Sequence, residues 1–219
     1  MTNEAGGIRA VVFDFGGVLI TTIANQISKV AATHGIDTSV MHAVLLGPRQ
    51  SGEDHPWHRA ERGELAVADI QGLLGPWADR AEVTLNGDEI ARLLAPGEYT
   101  VVPEMIDCIR TLRAQGLRIG LLTNTFAEFQ PTMQRDIDFA LFDAVIESFA
   151  VGARKPEPAI YAATVDRLSV AHDEIVYLDD FDQNLEPARD LGWQTIHVGD
   201  PTSAITELDR VLTASRHRS

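Results

Sequence analysis

From Pro103 onward the chain alternates short, almost wholly apolar runs with segments of helical periodicity, and few folds accept that order. The runs at 117–123, 144–147, 175–179 and 195–198 read as buried strands, and helical spacing fills 104–115, 158–168, 184–191 and 203–212 between them. Strands buried on both faces and joined by helices pair in parallel through right-handed crossovers. One further apolar run, 10–13, stands far upstream. The residues between carry only helical and loop patterns. A helix is expected over 23–33, stopped by Gly35, a second over 61–74 with Leu65, Ile70, Leu73 and Leu74 as its apolar positions, and a third over 88–94; 47–56 reads as a surface loop. The expectation is an α/β chain: a three-layer Rossmann-like parallel-sheet core from 1–20 and 98–219, with an α-helical cap, 21–97, inserted after the first strand.

Composition narrows the function classes. With 219 residues, 45% of them hydrophobic, the chain can bury one core and a second small module. A net charge of −14 argues against non-specific nucleic-acid binding, which needs a basic face. Cys108 is the single cysteine and reads as a core residue, so neither an intrachain disulfide nor a thiolate metal cluster is expected. Residues 1–7 read as a polar tail, and no signal-peptide or membrane-length apolar run is evident, so a cytoplasmic protein is expected.

In open parallel sheets the chemistry sits beyond the carboxyl ends of the strands. The first strand end carries Asp14, delivered by Val11-Val12-Phe13 into the turn Phe15-Gly16-Gly17. The second carries Thr123-Asn124-Thr125. The third leads to Lys155 within Gly152-Ala153-Arg154-Lys155-Pro156-Glu157-Pro158. The fourth ends in Asp179-Asp180, with Asn184 four residues on. Carboxylates converging in one cleft repel one another unless a cation joins them, and an all-oxygen set suits Mg²⁺. A lysine and a hydroxyl nearby suit a phosphate. Carboxylate, metal and lysine together equip a site for phosphoryl transfer through an aspartyl-phosphate.

The ordered set resembles the haloacid dehalogenase-like hydrolase superfamily, in its helical-cap subclass. The resemblance spans nearly the whole chain. Arg154-Lys155-Pro156-Glu157-Pro158-Ala159-Ile160-Tyr161 and Leu178-Asp179-Asp180, followed by Asn184, Pro187-Ala188-Arg189 and Leu191-Gly192, are also similar to the phosphatase domain of soluble epoxide hydrolases. The resemblance implies that Asp14 attacks phosphorus and, with the Gly16 carbonyl and Asp180, ligates Mg²⁺. Asp179 then ligates through water or orients Lys155, Thr123 and Asn124 hold the phosphoryl oxygens, Lys155 offsets charge, and Asn184 braces the Asp179-Asp180 loop. The implied substrate is a small phosphorylated metabolite, by resemblance a sugar phosphate.

One position departs from that family. Phosphatases of this kind carry a second aspartate two residues after the nucleophile, where this chain has Gly16. General acid–base help is worth about 10²–10⁴-fold, so its loss must be met otherwise. A phosphatase reading calls on a good leaving group, a metal-bound water or a cap residue, with His55, His58 and Glu61 as candidates. A 2-haloacid dehalogenase, which attacks carbon and needs no metal, and a weakly catalytic binding or regulatory protein are the alternatives. Trp57-His58-Arg59 can either cover substrate or pack the cap, and Arg49 and Arg62 read as surface residues. Asp182 reads as a helix cap, Asp190 as a surface residue and Asp200-Pro201 as a turn. His34, His172, His197 and His217 have no motif context.

Overall fold

The computed structural model describes residues 7–21, 24–48, 54–86, 89–93 and 99–216. Five parallel strands run β1 Ala10–Phe13, β2 Arg118–Thr123, β3 Ala144–Glu147, β4 Ile175–Asp179 and β5 Gln194–His197, in the spatial order β3-β2-β1-β4-β5. Each predicted strand is found within a residue of its expected ends.

Among the described residues, twelve α-helices accompany them. Six lie between β1 and β2: α1 Ala24–His34, α2 Thr38–Leu45, α3 Pro56–Glu61, α4 Val67–Leu73, α5 Gly75–Arg80 and α6 Glu89–Leu93. The others are α7 Pro103–Ala114, α8 Gln130–Asp136, α9 Ser148–Val151, α10 Pro158–Leu168, α11 Asp182–Asp190 and α12 Pro201–Arg216.

The sheet is a middle layer because its side chains alternate. Val11, Phe13, Leu121, Val176 and Leu178 join Met105, Ile109 and Leu112 of α7 and Leu208 and Leu212 of α12. Val12, Leu122, Ile146, Ile175 and Tyr177 face the other way, onto Ile160 and Tyr161 of α10 and Leu185 and Ala188 of α11. The helical insert packs a third cluster, including Ile27, Met41, Leu45, Trp57, Ile70 and Leu74, and Phe126 from the loop after β2 closes it from the core side. The two chain crossings pair with each other: Thr21 N donates to Thr100 O at 2.9 Å, and Ile20 bridges Val101 antiparallel. The insert is thus tied to the core next to Gly16.

Several expectations need correction. The single helix expected over 61–74 is only α4, from Val67, with Glu61 ending α3 before it, because Gly63 turns left-handed (φ +73°) where a Cβ would lie 2.8 Å from Phe149 O. Pro56 opens α3, with the His55 ring as its cap, so the loop expected over 47–56 stops short of His55; its residues 49–53 lie outside the described part. The helix expected over 88–94 is α6, with 87, 88 and 94 outside the described residues, as are residue 23, the first of the helix expected over 23–33, most of the 1–7 tail, Arg49 and His217. Asp182 does not cap α11. It is the first helical residue and pairs with Arg189 at 3.4 Å, while Phe181 holds the cap position and gives its N–H to Asp179. Asp200 caps α12 through Ser203 N at 2.8 Å, so that helix starts at Pro201 and runs past 212.

Candidate active site

The strand order reverses beside β1, whose neighbours are β2 and β4, and that switch point is where a parallel sheet opens a crevice. Asp14 continues the β1–β4 ladder by one step, its N–H donating to Leu178 O at 2.9 Å. Asp179 ends β4 on the adjacent strand. Each of Asp14, Asp179 and Asp180 offers an oxygen within 4.8 Å of the others.

Lys155 is inserted between two of these carboxylates. Its Nζ lies 2.8 Å from Asp14 Oδ1 and 2.8 Å from Asp179 Oδ2, and the residue is 1% exposed. The main chain that carries it is clamped by the Asn124 side chain: Lys155 N donates to Asn124 Oδ1 at 2.8 Å and Asn124 Nδ2 donates to Lys155 O at 3.0 Å. The side-chain amide of Asn124 therefore positions the lysine, a task the sequence did not suggest. Thr123 is buried and lines the cavity beside it.

Asp179 and Asp180 are neighbours with opposite surroundings. Asp179 is saturated: Phe181 N and Asn184 Nδ2 donate to Oδ1 at 2.8 and 3.0 Å, and Lys155 and the Tyr177 hydroxyl donate to Oδ2. Asn184 thus braces the loop, and Asp179 orients the lysine. Asp180 has one buried oxygen, Oδ1, with no hydrogen-bond partner. Burial, then the charges of Asp14 and Asp179, push its carboxyl up to about 8. Asp14 rises to about 7, driven by burial and by Asp179 and opposed by Lys155. Three carboxylates against one lysine leave an excess of negative charge. An orphaned buried oxygen and an all-oxygen donor set fit a hard divalent cation.

Gly17 makes this packing possible. It has φ +75°, and a Cβ there would lie 2.1 Å from Asp180 Oδ2. Gly16 is different: a Cβ there meets no heavy atom within 4 Å. The missing acid leaves open space.

A cavity of about 240 Å³ leads from Asp14 up between core and insert. The end beside Asp14 is polar, with Thr123, Asn124 and Lys155; further up, Ile20, Ile27, Leu46, Trp57, Leu93 and Phe126 share the wall with the polar His42, Glu61, Tyr99 and Arg154. Trp57 packs in the insert cluster, meets Phe126 edge-on at 4.8 Å, and also lines the cavity. The three stand-ins for the missing acid are occupied. His55 accepts from Trp57 N through Nδ1 and faces Val44 O through Nε2. His58 is held at about 3 by burial and by Arg154, His55 and Arg62, so it carries no acidic proton at neutral pH. Glu61 is ion-paired to Arg154. Arg62 binds Glu64 and Glu157 instead of facing the cavity.

Two contributors escaped sequence reasoning. Tyr177 sits two residues before Asp179 on the same strand, and so on the same side of the sheet; that period was the available signal. The Glu61–Arg154 pair joins residues 93 apart, for which spacing gives no signal.

Comparison with known proteins agrees with this geometry. The profile of the haloacid dehalogenase-like hydrolases matches residues 8–192. The chain is 32% identical to mouse acyl-CoA dehydrogenase family member 10 over 96% of its own length, but spans only 20% of that protein. It is 29% identical to pig bifunctional epoxide hydrolase 2 over 93% of its length, spanning 39% of that protein. With the sesquiterpene phosphatase of Aspergillus oryzae it shares 28% identity, covering 93% of this chain and 96% of that one. Its fold is similar to that of a family enzyme from Bacteroides thetaiotaomicron solved with magnesium and inorganic phosphate (TM-score 0.62, 18% identity, 89% and 96% covered).

Proposed function

The chain belongs to the haloacid dehalogenase-like hydrolase family, and we propose that it is a phosphatase that hydrolyses a small organic phosphate monoester through an aspartyl-phosphate on Asp14. The observation that carries this reading is the cluster of Asp14, Asp179 and Asp180 closed around the buried Lys155. Asp14 attacks phosphorus as the P–O bond to the leaving group breaks, and that group departs as an oxyanion that solvent protonates to the alcohol on release. Water then attacks the phosphorus of the aspartyl-phosphate, releasing inorganic phosphate and restoring Asp14. Asp14, Asp180 and the Gly16 carbonyl would hold Mg²⁺. When bound, Mg²⁺ supplies the positive charge that lets a carboxylate approach a phosphate dianion.

The residues of the chain do the rest. Lys155 neutralises charge on nucleophile and phosphoryl group, Asp179 with Asn184 and Tyr177 fixes its ammonium, and Asn124 fixes its main chain. Thr123 faces the phosphoryl oxygens, and Asn124, whose side-chain amide is committed to Lys155, can reach them only through its main chain. The insert, 21–97, acts as a cap whose closure excludes water from the first step.

The cavity wall shifts the substrate reading from a sugar phosphate towards an ester of an apolar alcohol. Ile20, Ile27, Leu46, Trp57 and Phe126 offer apolar surface on which such a group can be buried. The name of the sesquiterpene phosphatase relative supports the same class. The phosphorylated metabolite remains the expected partner. Among the described residues no helix is long and apolar enough to cross a membrane.

The test is release of p-nitrophenol from p-nitrophenyl phosphate, with Mg²⁺ and with EDTA, for the wild type and Asp14→Asn. Release that needs both Mg²⁺ and Asp14 is expected. Release of chloride from 2-chloropropionate without Mg²⁺, and none of nitrophenol, would establish the dehalogenase instead.

A further inference from the structure

The cavity wall holds a charge pair that phosphate chemistry leaves unused. Among its described lining residues Arg154 and Lys155 are the arginine and lysine side chains, and Lys155 is committed to Asp14 and Asp179. Arg154 follows the same loop into the cavity, where its Nε is taken by Glu61 Oε2 of α3. The other Glu61 oxygen accepts Trp57 Nε1 at 2.9 Å. Glu61 is 6% exposed and the Arg154 side chain 17%. The Nη groups of Arg154 have no protein acceptor among the described residues.

We propose that Glu61 is a specificity-determining residue: by occupying Arg154 it sets the cavity for phosphate esters with an uncharged organic group, and against esters that carry a second anion. The inference rests on the phosphatase reading above. A buried arginine without a partner is a strong anion site, because its charge is uncompensated and its fork matches a carboxylate. With Glu61 in place that charge is met by the protein itself. A second anion entering the cavity then faces Glu61 and Asp14 and finds no uncommitted cation. This is selection by repulsion as well as by fit. Glu61 also holds the Trp57 indole against Phe126, so one residue sets both the aromatic wall and the charge of the cavity.

The probes are 4-nitrophenyl phosphate and 4-carboxyphenyl phosphate, which match in shape and differ in charge at the far end. The variant is Glu61→Gln, which keeps an acceptor for Trp57 Nε1 and removes the charge. The readout is the ratio of kcat/KM for the two esters, which a common loss of activity does not move. We expect the wild type to favour the nitro ester, Glu61→Gln to narrow that preference at least fivefold, and Glu61→Gln with Arg154→Gln to restore it. An unchanged or wider preference in Glu61→Gln overturns the proposal, as does a preference that stays narrowed in the double variant. The Kd ratio for the two corresponding phosphonates, which no phosphatase cleaves, is expected to move in the same way. It decides the proposal even in a chain without turnover, a result that would instead count against the phosphatase reading.

Discussion

Asp180 packs into the space that a side chain on residue 17 would need: a Cβ on Gly17 would lie 2.1 Å from Asp180 Oδ2. Gly17 also holds φ +75°, which costs a residue with a side chain about 1–3 kcal/mol. Gly17→Ala is therefore expected to do more than lower stability. It should displace Asp180 and raise the Mg²⁺ concentration for half-maximal activity about tenfold or more, read from a Mg²⁺ titration of turnover. An unchanged half-saturation would detach Gly17 from the cation site.

Gly16 predicts the opposite. A Cβ there meets nothing within 4 Å, so Gly16→Asp should fold without a steric clash, its cost being the repulsion of one more carboxylate beside Asp14. Its carboxyl would enter the cavity beside Asp14. Turnover of alkyl phosphates, whose leaving groups need a proton, should rise up to about 10²-fold, with aryl phosphates little changed. Rates on both classes of ester compared in one series give the answer. A loss on alkyl esters would mean that the site requires the empty space.

Lys155 is the single cation between Asp14 and Asp179, at 2.8 Å from each. Lys155→Gln leaves two buried carboxylates facing each other, and breaking a buried pair costs about 3–5 kcal/mol. It also removes charge stabilisation at the phosphoryl group, which for one donor is worth about 10²–10³-fold. We expect kcat to fall by at least that factor, together with a lower urea midpoint. Full activity in this variant would contradict the assigned role.

Carboxyl titration gives a signed pH prediction for the metal-free chain. Burial and mutual repulsion raise Asp14 to about 7 and Asp180 to about 8, above the ordinary carboxylate range. Between about pH 4 and pH 8 the folded chain holds protons that the unfolded chain has released, so these groups lower stability as pH rises. In EDTA, the stability of the wild type relative to Asp180→Asn should therefore fall from pH 5 to pH 8. Mg²⁺ must displace those protons, so its stabilising effect should be larger at pH 8 than at pH 5. Melting curves at both pH values, with and without Mg²⁺, test this; an equal Mg²⁺ effect at the two would refute it.

What the sequence disclosed follows from how local each signal is. β1, β2, β3 and β4 were legible because a strand buried on both faces reads as an uninterrupted apolar run. Asp14, Lys155, Asp179, Asp180 and Asn184 were legible because each follows such a run closely. The insert was legible as helical, but some of its helix ends were not, since they depend on distant partners: Gly63 breaks the expected 61–74 helix against Phe149, and α3 is capped by a histidine, outside the usual capping residues. The Asn124 clamp on Lys155 and the Glu61–Arg154 pair join residues 31 and 93 apart, and only the fold brings them together. The apolar wall was hidden for the same reason. Ile27 and Leu46 come from the insert and Phe126 from the core, and no single segment shows them as one surface.

The central claim is a covalent phosphoryl intermediate on Asp14. The most direct measurement is to quench the Mg²⁺-loaded enzyme during turnover, reduce with borohydride and map the peptides by mass spectrometry. An acyl phosphate is reduced to an alcohol, so the account predicts conversion of Asp14 to homoserine, dependent on substrate and Mg²⁺. Sustained phosphate release with an unmodified Asp14 at every quench time would contradict it.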